Sequence, residues 1–310
     1  APGSWRYWRT RDCAAEGERD MGSGSKLRQV LAKNGLVEAM AAHSPLSAML
    51  VAEAGFDAIW ASGFELSAMY GVPDVSVVSM TQHLDMTRAM VDRSGLPVVA
   101  DIDTGFGNAI NVLYAVEQYE RAGVAAIVME DKSFPKVTSL IAGGRQDMVR
   151  IEEFQGKIEA ARAARRDPDL VIVARTEALI AGLGQDEALK RARAYEVAGA
   201  DMILVHSKQK TPDEIEAFVH AWDGKVPIAL VPTAYPQMTV ARVKELGKIG
   251  LLIWGNHAIR ASVGAMRATF AQIRKDRGIH GVEASIATVE DVFELQGMGT
   301  VKDNEKRFLR

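Results

Sequence analysis

The segment Leu96-Pro97-Val98-Val99-Ala100-Asp101-Ile102-Asp103-Thr104-Gly105-Phe106-Gly107 decides which fold this chain is expected to adopt. A proline opens it, an apolar run follows, and two aspartates precede a glycine-rich turn. Because successive side chains of a strand point to opposite faces, we expect Asp101 and Asp103 to share one face. Two such carboxylates repel each other unless a metal, protons or a cationic partner intervenes, and hard oxygen ligands suit Mg²⁺ or Mn²⁺. The segment therefore predicts either a metal site or turn and helix-capping chemistry.

Seven further apolar runs alternate with amphipathic helical stretches on both sides of this segment. In chain order they are Val37–Ala42, Asp57–Ala61, Ala126–Glu130, Val171–Arg175, Ile203–His206, Ile228–Val231 and Leu251–Trp254. Continuous apolar strands separated by helices indicate a parallel sheet covered by helices. Eight strand–helix units are the number that closes an α/β (β/α)₈ barrel of the TIM type. The alternative is a doubly wound open sheet, although no G-x-G-x-x-G opens the first unit.

Composition limits the classes of protein to which the chain can belong. With 310 residues and 48% hydrophobic side chains, it can form one large barrel or two ordinary domains. A net charge of −3 gives no electrostatic footprint for nucleic acid. No apolar run is long enough to cross a bilayer. The single cysteine, Cys13, rules out an intrachain disulfide framework and favours a reducing, cytoplasmic location.

The first twenty residues differ from the rest of the chain. They mix aromatic side chains with arginines, show no clear period and precede Met21. We expect residues 1–20 to be a non-native or disordered leader. Residues 21–310 are then expected to form a single barrel domain with a C-terminal helical extension.

Two long connections and a helical tail complete the predicted barrel. Met69–Ser76 extends the second strand–helix connection, and Asp131–Arg145, here called the lid, extends the fourth. Long loops in compact domains are usually functional lids or disordered segments. Residues 258–274 form an amphipathic pattern, and residues 288–295 predict another short helix. The first of these helices either covers its own barrel or is exchanged between subunits.

Polar residues follow or end most of the predicted strands. Because these ends meet at one mouth of a barrel, the expected rim contains Ser62, Asp101, Asp103, Glu130, Arg175, His206 and Asn256. A buried guanidinium at Arg175 requires an anionic partner. His206 is either a hydrogen-bonded core residue or part of the site. The lid adds Lys132, Lys136, Thr138, Ser139 and Arg145, which either are solvated or close over an anionic substrate. These residues predict a metal-assisted barrel enzyme that acts on a small anion.

Four motifs resemble the phosphoenolpyruvate mutase/isocitrate lyase superfamily. They are Trp60-Ala61-Ser62-Gly63, Gly71-Val72-Pro73-Asp74, the segment from Asp101 to Gly107, and Glu130-Asp131-Lys132-Ser133-Phe134-Pro135-Lys136. Arg175-Thr176-Glu177 and His206 follow in the expected order. The match extends from about Lys26 to the end of the chain, and the combination of motifs is more specific than any one of them.

The lid distinguishes the branches of this superfamily. Lyases carry a K-K-C-G-H lid with a catalytic cysteine, whereas this lid contains no cysteine. The mutase lid has the pattern K-x-N-S, whereas this chain has Lys136-Val137-Thr138-Ser139. The resemblance therefore implies hydrolysis of the carbon–phosphorus bond of 3-phosphonopyruvate to pyruvate and phosphate. The alternatives are a phosphoenolpyruvate phosphomutase, then an oxaloacetate hydrolase-like enzyme or a non-catalytic barrel that binds dicarboxylates.

The resemblance also implies roles for individual residues. Asp101 ligates Mg²⁺, or Mn²⁺ in its place, while Asp103 and Glu130 hold the waters of the metal. The substrate-binding residues are Trp60, Ser62, Gly63, Ser139, Arg175 and His206, with Ser62 and Gly63 at the carboxylate. The catalytic residues are Asp74, Lys136, Thr138, Arg175 and His206. Thr138 leaves room for the attacking water and Asp74 is a candidate base. The expected assembly is a homotetramer of paired dimers that exchange the helix at 258–274.

Overall fold

The computed structural model describes residues 22–139, 141 and 143–309. The predicted leader at 1–20, with Cys13, and Met21 lie outside these residues. The described residues form two compact units, 22–259 and 260–309. The single domain expected for 21–310 stays a prediction.

Eight parallel strands close into a barrel in the first unit. They are β1 (Val37–Ala42), β2 (Ala58–Ala61), β3 (Val98–Asp101), β4 (Ala126–Glu130), β5 (Val171–Thr176), β6 (Met202–Val205), β7 (Ile228–Leu230) and β8 (Ile249–Trp254). Each strand pairs with the next, and β8 pairs in parallel with β1, where Val37 lies opposite Leu251. The (β/α)₈ barrel is therefore confirmed, and the doubly wound alternative is wrong because an open sheet leaves its edge strands unpaired.

The strands end close to the predicted positions. β1, β3 and β4 have the predicted bounds, whereas β6 ends at Val205 and leaves His206 in the following loop. Asp103 also lies beyond its strand, in a turn where its φ is +50°. The expectation that Asp101 and Asp103 share a face of one strand is therefore wrong, since the turn and not the pleat brings their carboxylates together.

Helices follow the strands and cover the barrel. In this unit they are α1 (Ser23–Asn34), α2 (Pro45–Glu53), α3 (Gly63–Met69), α4 (Met80–Ser94), α5 (Ala109–Arg121), α6 (Ile151–Ala164), α7 (Gly184–Ala198), α8 (Asp213–Ala221) and α9 (Val240–Leu246). Alternate strand residues such as Ala39, Val99 and Val173 fill the interior of the barrel, and all three are fully buried. None of the helices described is long and apolar enough to span a membrane.

Three helices form the end of the described chain. They are α10 (His257–Asp276), α11 (Val289–Gln296) and α12 (Met298–Phe308). The first two match the predicted helices within two residues at each end, and α12 was not predicted. The apolar side chains of Val263, Met266 and Phe270 on α10 are 37%, 46% and 63% exposed. The exchange of α10 between subunits stays a prediction.

Candidate active site

The loops at the carboxyl ends of the strands surround a small cavity. It is lined by Trp60, Ser62, Phe64, Asp74, Asp101, Lys136, Thr138, Ser139, Arg175, His206, Val231, Thr233, Gly255 and Asn256. The remaining predicted site residues, Gly63, Asp103 and Glu130, bond to residues of this lining. The predicted rim therefore converges on one cavity.

Three carboxylates lie together on one side of the cavity. The N–H of Gly63 donates to Asp101 Oδ2 at 3.2 Å, and the N–H of Asp103 is 3.4 Å from Asp101 Oδ1. A Cβ added at Gly63 would lie 3.1 Å from Asp103 Oδ1 and 3.3 Å from Asp101 Oδ2. Glu130 Oε2 is 3.3 Å from the Nε of Arg175, while its Oε1 is buried and has no partner among the described residues. Glycine at position 63 thus leaves room beside a group of carboxylates with unused lone pairs.

The electrostatics of these carboxylates suit a divalent cation. Burial raises the pKa of Asp101 to about 7, with Asp103 adding to the rise and Lys136 opposing it. Burial likewise raises the pKa of Asp103. A cation beside both groups would relieve this cost of burying negative charge. In the part of the chain that is described, no three His, Cys, Asp or Glu side chains converge closely enough to enclose a metal. Carboxylate oxygens are ligands that Mg²⁺ accepts, and this ion keeps several of its waters when it binds to proteins.

Lys136 is the cation that lies among the carboxylates in this structure. Its Nζ is 2.8 Å from Asp74 Oδ1 and 3.0 Å from Asp103 Oδ1. Burial alone would lower the pKa of Lys136, but Asp103 and Asp74 hold it well above its usual value. This ion pair, in which Lys136 and the candidate base Asp74 are bonded to each other, was not predicted from the sequence.

A second charged cluster adjoins the carboxylates, since Glu130 also pairs with Arg175. The Nε of Arg175 pairs with Glu177 Oε1, and its Nη2 donates to Ser139 Oγ at 3.0 Å. The same Nη2 lies 3.0 Å from Nδ1 of His206. Burial opposes the charge of Arg175, but Glu177 and Glu130 raise its pKa above the usual value. The anionic partner predicted for Arg175 is therefore Glu177, supported by Glu130.

Glu177 is the central residue of this cluster, and no role was predicted for it from the sequence. Its Oε2 accepts from Ser139 Oγ at 2.6 Å and is 3.4 Å from Lys132 Nζ. Burial would raise the pKa of Glu177, but Arg175, Lys132 and His206 hold it well below its usual value. The spacing of Arg175 and Glu177, two residues apart at the end of a strand, is the signal that would have placed both side chains together.

Lys132 and Arg145 do not act as free cations of the lid. Lys132 is buried, and its Nζ donates to the carbonyl of Val137 at 2.8 Å and to Ser139 Oγ at 2.7 Å. Arg145 lies on the surface, where its Nε is 3.1 Å from Asp147 Oδ2. Of the two alternatives predicted for these residues, Arg145 takes the solvated one. Lys132 takes neither, because it is buried and bonds other residues of the lid.

Asp131 fixes the end of β5 beneath this cluster. It accepts hydrogen bonds from the N–H of Glu177 at 2.8 Å and from Thr176 Oγ1 at 3.0 Å. It also accepts from Tyr195 Oη at 2.6 Å and from Arg191 Nη1 at 3.2 Å. Burial raises the pKa of Asp131 to about 6, against the effect of these donors. The carboxylate of Asp131 therefore holds Thr176 and Glu177 at the end of β5 and joins them to Tyr195 and Arg191 of α7.

The remaining candidates differ in how free they are to bind a ligand. The Oγ of Ser62 accepts from the N–H of Glu65 at 3.3 Å and caps α3, while the Gly63 N–H is taken by Asp101. Thr138 is half-buried, and its carbonyl accepts from Gln146 Nε2 at 3.2 Å. Trp60 is buried and forms part of the cavity wall. The carboxylate cradle expected at Ser62 and Gly63 is thus engaged in internal hydrogen bonds in this structure.

Comparison with known proteins agrees with this geometry. The family model for phosphoenolpyruvate phosphomutase matches residues 27–274. The chain is 60% identical over 290 residues to a phosphonopyruvate hydrolase of Variovorax sp. (strain Pal2), covering 94% of this chain and 100% of the relative. It is 43% identical over 285 residues to a phosphoenolpyruvate phosphomutase of Tetrahymena pyriformis, covering 92% and 95% respectively.

A solved structure extends this similarity to three dimensions. The crystal structure of phosphonopyruvate hydrolase in complex with oxalate and Mg²⁺ superposes with a TM-score of 0.89 at 58% sequence identity. The match covers 94% of this chain and 100% of that chain. The superfamily resemblance inferred from the motifs is confirmed: the chain belongs to the phosphoenolpyruvate phosphomutase family.

Proposed function

We propose that this chain is an Mg²⁺-dependent hydrolase that cleaves 3-phosphonopyruvate into pyruvate and phosphate. The observation that carries the proposal is the pairing of two charged halves in one cavity. Asp101 and its neighbouring carboxylates suit a cation, while Arg175 and His206 supply the same cavity with groups for an anion. A substrate with a keto acid at one end and a phosphonate at the other matches this division. The 60% identity to a phosphonopyruvate hydrolase supports the same conclusion.

The two halves of the cavity serve different parts of the reaction. A carbon–phosphorus bond breaks heterolytically when the electron pair left on carbon is delocalised, and here the leaving group is the enolate of pyruvate. Asp101 would hold Mg²⁺ directly, and Asp103 and Glu130 would hold its waters. When bound, the metal polarises the keto and carboxylate oxygens and stabilises the developing enolate charge.

Other groups of the same cavity would bind the phosphoryl group and position water. Arg175, His206 and Ser139 would donate to its oxygens, and Lys136 would neutralise charge beside it. Thr138 would leave space for one water in line with the bond to carbon, and Asp74 would orient that water. Water forms the new bond to phosphorus as the bond to carbon breaks. The enolate then takes a proton at carbon, and pyruvate and phosphate leave.

The mutase remains the second candidate, because the family model and the Tetrahymena relative both carry that name. A mutase must keep water from the phosphoryl group and return it to the enolate oxygen. The side chain at position 138 separates the two reactions in this proposal, since Thr138 is shorter than an asparagine. Thr138 lines the cavity and is half-buried, so a change of its size alters the space beside the substrate.

Product analysis tests the proposal. The purified chain is incubated with phosphonopyruvate and Mg²⁺, and pyruvate and inorganic phosphate are measured separately. The proposal expects equal amounts of both products, with neither formed when EDTA removes the metal. Phosphoenolpyruvate as the product would replace the hydrolase with the mutase. Metal-dependent binding of substrate without turnover would indicate the non-catalytic barrel.

We also propose that the chain assembles as a homotetramer of paired dimers that exchange α10. Exposed apolar side chains on α10, namely Val263, Met266 and Phe270, support a face that another subunit covers. Sedimentation equilibrium should give four times the chain mass, and Phe270→Glu should shift the mass towards the monomer.

A cytoplasmic location is proposed on the ground of the single cysteine.

A further inference from the structure

Ser76 has an unusual backbone conformation in the loop between α3 and α4. Its φ is +58°, in the left-handed region that side chains with a Cβ rarely adopt. Glycine would adopt the same conformation without the steric penalty. Residues held in such conformations occur where the surrounding contacts enforce them, often at functional sites. The contacts of Ser76 therefore need an explanation beyond the formation of a turn.

The hydroxyl of Ser76 connects two parts of the candidate site. Its Oγ donates to Asp103 Oδ2 at 2.9 Å and accepts from the backbone N–H of Lys136 at 3.3 Å. Lys136 in turn reaches both Asp103 and Asp74 through its ammonium group, at 3.0 and 2.8 Å. These bonds form a closed ring across the loops that follow β2, β3 and β4.

The ring joins the lid to a carboxylate of the proposed metal site. Asp103 is buried and has two oxygens, of which Oδ2 is bonded to Ser76 and Oδ1 lies beside Lys136 Nζ. Lys136 belongs to the lid and is itself buried. The Ser76 hydroxyl accepts from the backbone N–H of Lys136. It therefore restrains the main chain of the lid at Lys136, in addition to the ion pairs that the Lys136 side chain makes.

We infer that Ser76 is a positioning residue that fastens the lid to Asp103 and thereby couples lid closure to the orientation of a metal-site carboxylate. The inference rests on the proposed function, in which Asp103 holds water on the metal. Loss of the hydroxyl removes the donor to Asp103 Oδ2 and the acceptor of the Lys136 N–H. Both the lid and the carboxylate then lose a constraint, although the barrel beneath them is unchanged.

Ser76→Gly separates this role from a purely conformational one. Glycine suits the left-handed backbone, so a residue that only makes the turn would be replaced without loss and with equal or greater thermal stability. Ser76→Ala is the companion variant, because it keeps the Cβ and its strain while removing the hydroxyl. Arg277→Gly is the matched control, since Arg277 has a φ of +54° and is exposed at the end of α10.

The first readout is trypsin cleavage after Lys136 in the presence of oxalate and Mg²⁺, followed by mass spectrometry. The second is Mn²⁺ binding to the otherwise metal-free protein, followed by electron paramagnetic resonance. For Ser76→Gly and Ser76→Ala we expect cleavage about tenfold faster and Mn²⁺ affinity about tenfold weaker, in the range for loss of an outer-shell partner. Arg277→Gly should match the wild type in both.

A Ser76→Gly protein with wild-type cleavage and wild-type Mn²⁺ affinity would overturn the inference. Neither readout requires turnover, so the result is independent of product analysis. A wild-type protein that forms no phosphate would disprove the proposed hydrolysis. The response of the lid to Ser76→Gly would still test whether Ser76 fastens the lid to Asp103.

Discussion

The Nη2 of Arg175 lies 3.0 Å from Nδ1 of His206. A guanidinium can only donate, so this contact assigns Nδ1 as the acceptor. Glu177 Oε1 is farther from the same nitrogen, at 3.3 Å. Burial lowers the pKa of His206, which favours the neutral ring. The proton of that ring then belongs on Nε2, which is buried and has no hydrogen-bond partner among the described residues.

In the proposed function, this tautomer lets Nε2 of His206 donate to the substrate. His206→Gln places an amide N–H near the position of Nε2, whereas His206→Asn places its amide near Nδ1. We expect kcat/KM to fall about a hundredfold in His206→Asn, the usual cost of losing one such donor, and less in His206→Gln. Steady-state kinetics at saturating Mg²⁺ measures both. A greater loss for glutamine than for asparagine would contradict the assignment.

Glu177 is predicted to be a major determinant of stability at the site. Glu177→Gln leaves Arg175 and Lys132 buried without their shared anion, and breaking a buried ion pair typically costs about 3–5 kcal/mol. Glu187→Gln is the control, since Glu187 pairs with Arg191 at 2.8 Å but is 28% exposed. That change should cost less than about 1 kcal/mol. Equal free energies of unfolding for the two variants would show that Glu177 does not organise the cluster.

Asp101 is predicted to be the direct metal ligand. Asp101→Ala should abolish Mg²⁺-dependent turnover and should weaken Mn²⁺ binding, since it removes the proposed direct ligand. Asp147→Ala, at an exposed aspartate beyond the lid that pairs with Arg145, should leave both unchanged. Activity retained by Asp101→Ala at saturating substrate would remove Asp101 from the metal site.

Thr138 is predicted to control access of water. Thr138→Asn fills the space beside the phosphoryl group and Thr138→Ala removes the hydroxyl, so both should slow phosphate release by about tenfold or more. Thr138→Ser keeps the hydroxyl with less bulk and should stay closest to the wild type. Circular dichroism verifies that each variant is folded. Wild-type rates in both Thr138→Asn and Thr138→Ala would exclude Thr138 from the mechanism.

His83 predicts how stability depends on pH. Its ring is buried beside Tyr119, and burial, assisted by Lys136 and opposed by Asp74, lowers its pKa to about 3. In the unfolded chain, the His83 ring takes up a proton as the pH falls through about 6.5, whereas in the folded protein it stays neutral until about pH 3. The free energy of unfolding therefore decreases as the pH falls below about 6.5. Between pH 7 and 5 the loss is about 2 kcal/mol.

His83→Gln tests this prediction, because glutamine has no proton to gain in that range. Denaturant unfolding at pH 7 and pH 5 gives the change in the free energy of unfolding for each protein. The wild type should lose about 2 kcal/mol more than His83→Gln over this interval. The same loss in both proteins would mean that His83 takes up its proton in the folded state.

The barrel could be predicted from the sequence because each of its strands is marked by residues that are neighbours along the chain. Each strand is a short apolar run, such as Ala126–Glu130, and the closing of eight units is a counting argument. The helix α12 was missed because Met298, Val301 and Phe308 are the only large apolar side chains in its eleven residues. Three apolar positions are too few to establish a helical period from the sequence.

The sequence predicted which residues form the site more readily than which of their side chains contact each other. Strand ends identified the carboxylates and Arg175, since each follows an apolar run. The ring of Ser76, Asp103 and Lys136 joins loops that are far apart in sequence, and no periodicity reports which of their side chains meet. The alternation of side chains along a strand could not predict the left-handed turn at Asp103, because that turn depends on backbone dihedral angles.

Phosphorus NMR of the wild-type protein with phosphonopyruvate and Mg²⁺, in water half-enriched in ¹⁸O, tests the central claim most directly. We predict that the phosphonate signal is replaced by inorganic phosphate, with a second phosphate signal for molecules that carry one ¹⁸O atom. An EDTA control should leave the phosphonate unchanged. Conversion of the phosphonate into phosphoenolpyruvate without ¹⁸O incorporation would contradict the hydrolase and identify the chain as a mutase.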